Sequence, residues 1–152
     1  METSVGPSGQ DYGDNQNSNR EQYHHLVASA DDALNHLYSA QKELDKAYGW
    51  GVYDMLGGGM FGSLIKHGKL QNANREIEEA KKAVTRFAED LRVSNIDANA
   101  GLHIDTGDFL SFTDIFLDNV FADMMMQQRI MEAQQQVDQA IRQITYIRDQ
   151  LV

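Results

Sequence analysis

Apolar residues recur at alternating spacings of four and three along three stretches of this 152-residue chain. The first holds Tyr23, Val27, Ala30, Leu34, Leu37, Leu44 and Tyr48, with Gln41 standing in the same series. Leu70, Ala73, Ile77, Ala80, Val84, Phe87 and Leu91 repeat the pattern, and Met126, Ile130, Ala133, Val137, Ala140, Ile144, Ile147 and Leu151 repeat it again. On an α-helix such positions share one narrow stripe, and a period near 3.5 kept over three or more heptads is how coiled-coil packing is written in sequence. The spacing predicts an all-α protein, an elongated antiparallel three-helix bundle or coiled coil with helices over residues 20–48, 66–93 and 113–151. Ser18-Asn19-Arg20-Glu21 reads as a capping box that opens the first helix, and Gly49 is expected to close it.

Two segments break the pattern. Residues 49–68 hold seven of the twelve glycines and the only Trp, where a helical hairpin ordinarily has a short polar connection. This Gly-rich apolar corner is expected to use Gly57, Gly58, Gly59 and Gly62 for close backbone approach, with Trp50, Tyr53, Leu56, Met60 and Phe61 capping the bundle. Asp54 and His67 are the expected polar cap of this corner. The second segment carries Phe109, Phe112, Phe116 and Phe121, followed by Met125, on more than one helical face, which points to burial on two sides or to a second chain. The favoured arrangement brings residues 94–108 back along the bundle, sets this Phe/Met cluster on the corner and runs the third helix parallel to the second. The alternative is a plain up-down-up bundle.

Composition sharpens this picture. Only 41% of residues are hydrophobic and the mean hydropathy is -0.52, which suits a slender bundle needing two or three apolar residues in seven. Residues 66–93 carry seven basic residues against five acids, so the middle helix is expected to lie between two acidic neighbours. The formal net charge of -10 disfavours nucleic acid, whose phosphates require a basic surface. Residues 1–19 are acidic and polar with three glycines, and predict a disordered tail ahead of a single helical domain over 20–152. They contain no basic-then-apolar leader, which makes the cytoplasm the expected location and leaves signal-less secretion open. With no Cys, disulfide and thiolate chemistry are excluded.

The run Trp50-Gly51-x-x-Asp54-x-Leu56-Gly57-Gly58-Gly59, then Lys66-His67, then Ile104-Asp105 and Phe109-Leu110-x-Phe112-x-Asp114, resembles a group of small uncharacterised helical bacterial proteins. The resemblance covers residues 49–126 and implies no activity, cofactor or site residue.

Candidate chemistry is sparse. Gly57 to Gly62 spells G-x-G-x-x-G, but a dinucleotide fingerprint works between a strand and a helix, and here a long helix precedes it. A Walker-type phosphate loop fails because Ser63 stands where its Lys belongs. Glu21-x-x-His24 is the one di-iron-like pair, and helix three has no His, so neither a metal nor a cofactor is expected. Comparison with secreted WXG-type hairpins stumbles on Trp50-Gly51 in place of Trp-x-Gly and on Gln150 four residues after Tyr146. An interfacial membrane role is not favoured, since only Lys66 and Lys69 flank the apolar corner. The expected function is therefore non-enzymatic, a scaffold or adaptor acting by protein–protein contact or self-association through the corner and the Phe/Met cluster. The alternative is a small-ligand or enzymatic site at the corner using His67, Asp54 and Asp105.

Overall fold

The computed structural model describes residues 10–55, 61–94, 109–111, 113 and 127–152, and the side chains of 15–49, 71–94, 109–111, 113 and 130–152. Three long helices carry the fold: α1 over Gln10–Met55, α2 over Phe61–Ser94 and α3 over Gln127–Leu151. The residues of the three stripes that are described are buried or half-buried, so the chain is an all-α helical bundle as the periodicity dictates.

Cross-helix contacts give the directions. Ser29 meets Asp90 and Asp32 meets Arg86, so numbers on α2 fall as those on α1 rise. The same holds for α3, where Asp31 meets Arg148, Gln41 meets Asp138 and Asp45 meets Gln134. Both helices are therefore antiparallel to α1 and parallel to each other, which is the favoured arrangement and excludes the up-down-up alternative.

The helix at the centre is α1, which packs against both α2 and α3. This corrects the expectation that the basic helix lies between two acidic ones: it is the acidic α1 that has two neighbours. Two interfaces need a wider stripe than one. On α1 the heptad-spaced Leu26, Ala33, Ala40 and Ala47 are buried beside the expected Ala30, Leu37 and Leu44. Alanines here let backbones approach closely, and the core as a whole alternates small Ala80, Ala88, Ala133 and Ala140 with Phe87, Ile77, Val137 and Ile144.

Helix ends differ from the sequence reading. Residues 10–19 are helical where a disordered tail was expected, and Ser18 lies inside α1 instead of capping it. Extending a helix already nucleated by packing costs little per residue, so a polar segment follows its neighbour into the helix. Nor does Gly49 stop α1, which continues to Met55. A Gly inside a helix costs only about 1 kcal/mol relative to Ala, too little to end one anchored by Ala47 and Tyr48. The second helix starts at Phe61 instead of residue 66, and α3 starts at Gln127 instead of residue 113.

Phe109 lies away from the corner on which the Phe/Met cluster was expected to pack. It is buried against Phe87, with ring centroids 5.6 Å apart and planes tilted by 58°. Phe87 stands 26 residues beyond Phe61, the start of α2, about 39 Å along the helix. The other members of the cluster, Phe112, Phe116, Phe121 and Met125, lie outside the described residues. Buried Thr113 closes the local turn, its hydroxyl donating to the Phe109 carbonyl at 2.8 Å.

Candidate functional site

The corner positions fall largely outside the described residues. Trp50, Tyr53 and Asp54 belong to the last turns of α1, and Phe61, Gly62 and His67 to the first turns of α2, but their side chains are not described. Leu56, Gly57, Gly58, Gly59 and Met60 lie outside the described residues, as do Asp105, Phe112, Phe116, Phe121 and Met125. Of the candidate contact residues Phe109 alone has a described side chain, and it is core.

What the helices do bring together is a set of polar clasps along the flanks of α1. Towards α2, Ser29 donates its hydroxyl to Asp90 Oδ2 at 2.7 Å, and His25 Nδ1 stands 3.8 Å from the same oxygen. This group contains the residue types of a hydrolytic triad in the wrong order. Nucleophilic catalysis needs the imidazole between hydroxyl and carboxylate, to take the proton that the nucleophile loses. Here the carboxylate stands in the middle, and the His25 side chain is 68% exposed. The arrangement ties α1 to α2 and generates no alkoxide.

One turn on, Asp32 accepts from Arg86 of α2 at 3.4 Å and has His36 3.7 Å away on its own helix. Its neighbour Asp31 turns the other way and takes the Arg148 guanidinium of α3 at 2.7 Å. That carboxylate, together with Asp149, raises the Arg148 pKa, with the Asp31 hydrogen bond as the larger cause. Consecutive aspartates thus serve opposite neighbours, because adjacent helix positions are about 100° apart.

Farther along, two amide–carboxylate pairs cross between α1 and α3 in opposite senses. Gln41 Nε2 donates to Asp138 at 2.5 Å, and Gln134 Nε2 donates to Asp45 at 2.7 Å. Tyr48 and Met131 join them around a groove of about 440 Å³. Gln41, which interrupts the apolar series in sequence, is therefore a cross-helix donor, a role that the Asp138 at its level makes legible only once the register is known.

A cavity of about 620 Å³ lies at the end of the bundle away from the corner. Among the described residues α1 reaches about 20 Å past the level of Ser94, which is four residues beyond Asp90. Residues 15–22 there are exposed. The cavity is floored by Tyr23, Val27 and Leu151 and walled by Arg20, His24, Arg148 and Val152. Sequence reading missed it because Arg20 was assigned to a helix start and the residues before it to a tail. A hint was present, since Gln16, Arg20, Tyr23 and Val27 continue the spacing of the stripe outward.

Among the described residues no three His, Cys, Asp or Glu side chains converge as metal ligands, and no helix is long and apolar enough to cross a membrane. Searches against protein-family models, curated proteins and solved structures find no match to this chain.

Proposed function

We propose that the chain acts by contact with other proteins, as a non-enzymatic scaffold or adaptor in the cytoplasm. The observation that supports this reading most directly is the first part of α1, whose residues 15–22 are helical and exposed, with the half-buried Tyr23 and Val27 beside them. A helix propagated outward from a packed core costs little to form, and its exposed face is available to a second surface. The clasps between helices support the same reading, because they hold side chains in structural pairs instead of a catalytic arrangement.

Site-specific photocrosslinking tests it. A benzophenone side chain in place of Asn19 or Tyr38, installed in the full chain and irradiated in the producing cell, is expected to give discrete protein adducts. A chain that gives none from either position, and that stays monomeric by light scattering at all concentrations, overturns the reading.

A further inference from the structure

We infer that the polar clasps between α1 and α3 are a register lock. The buried stripes of the two helices match nearly as well when α3 slides by one heptad, and Asp31–Arg148, Gln41–Asp138 and Asp45–Gln134 select one setting. Released from them, α3 slides by whole heptads and keeps its core. This device is internal to the bundle and does not depend on what the chain binds.

The apolar stripes repeat too closely to choose a register. On α1 the buried rows at seven-residue spacing are Ala33, Ala40 and Ala47, and Leu37 with Leu44. On α3 they are Ile130, Val137, Ile144 and Leu151, and Ala133 with Ala140. A slide of seven residues, about 10.5 Å, sets alanine where alanine stood and one larger aliphatic side chain where another stood. Exchanges at nearly constant volume cost a core little. Ala30 on α1 and Ile147 on α3 depart from the repeat, and they are the chain neighbours of Asp31 and Arg148. That level is the one place where the core itself favours the observed setting.

The clasps do not repeat. Ten residues separate Asp31 from Gln41 and Arg148 from Asp138, and four separate Gln41 from Asp45 and Asp138 from Gln134, so all three pairs belong to one setting. In it Tyr38, a heptad on from Asp31, is level with Ile141, a heptad before Arg148. Sliding α3 one heptad towards Met55 brings Arg148 to Tyr38 and Ile141 to Asp45. Sliding it the other way brings Ile141 to Asp31, Met131 to Gln41 and Asp138 to Leu34. Either slide parts every donor from its acceptor. Gln41 and Asp138 are half-buried, and a partly desolvated polar group deprived of its partner costs more than the pair contributes when made. Contacts of small net worth thus decide between settings that the apolar surfaces leave nearly equal.

The chain has no Cys, so Asn35→Cys and Glu132→Cys place two spin labels at exposed positions of α1 and α3, offset along the bundle by about 18 Å. Pulsed electron–electron double resonance on this full chain is expected to give one separation. With Asp31→Ala, Gln41→Leu, Asp45→Ala and Asp138→Leu added, a second separation is expected, its offset moved to about 28 Å or about 8 Å, while the helical circular dichroism stays that of the parent. Adding Tyr38→Asp gives Arg148 an acceptor only after the slide towards Met55, and is expected to make the longer separation the main one. Asp32→Ala with Arg86→Ala, which opens a clasp to α2 instead, is expected to leave a single separation. One unmoved separation in the fourfold variant, loss of its helical signal, no gain of the longer separation with Tyr38→Asp, or splitting in the α2 control overturns the proposal.

Discussion

Arg148, in the last turn of α3, donates from Nε to Oδ1 of Asp31 on α1 at 2.7 Å, and in doing so it holds the register of α3 against α1. Both side chains are partly exposed, 35% for Arg148 and 46% for Asp31, so water screens the pair. Its value lies in register more than in energy. Arg148→Met and Asp31→Asn are each expected to cost no more than about 1 kcal/mol. A double-mutant cycle by urea unfolding measures the coupling, and a value well above that range means that the carboxylate is more desolvated than its exposure indicates.

Phe87 and Phe109 join parts of the chain that the apolar periodicity does not connect. Their rings are buried with centroids 5.6 Å apart and planes tilted, within the separation that aromatic pairs favour. Phe87→Ala is expected to destabilise by about 3–5 kcal/mol, and Phe109→Ala, equally buried, by a similar amount. The double variant loses less than the two singles together, because each leaves the other ring facing the same void. A Phe109→Ala chain with the melting temperature of the parent shows the segment to be dispensable.

Gly49 lies inside α1, exposed, and a Cβ built there meets no atom within 4 Å. Gly49→Ala is therefore expected to stabilise the fold by about 0.5–1 kcal/mol through the lower entropy of the unfolded chain. A rise in the urea midpoint with unchanged slope is the predicted readout. A fall shows that the helix does not run regularly through this position.

Glu79 and Lys82, one turn apart on the surface of α2, pair at 2.8 Å. The hydrogen bond from Lys82, ahead of its charge, holds the Glu79 carboxyl below its ordinary 4.5, and Glu79 in turn raises Lys82 above 10.5. The contribution of the acid is thus present above the ordinary carboxylate range and fades as pH falls through its lowered value. That of the base is present below its ordinary value and fades as pH rises through the raised one. NMR titration of the Glu79 carboxyl is expected to give a midpoint under 4.5, returning upward in Lys82→Met. Identical midpoints in the two proteins mean that the pair does not persist in solution.

The sequence by itself determined that this chain is helical and, for each long helix, one stripe that is buried. Heptad spacing decides those matters locally, since Ala80, Phe87, Val137 and Ile144 lie on one stripe whatever their helix packs against. It also carried the parallel relation of α2 and α3, as the favoured of two arrangements, because the chain between them is long enough to return along the bundle. Only the tertiary structure decided which helix is central. Ala33, Ala40 and Ala47 are ordinary helix formers until a second neighbour makes them an interface. The register of each helix against α1 is likewise a property of the assembly, because pairs such as Ser29 with Asp90 and Asp31 with Arg148 form only between helices that the chain order leaves far apart.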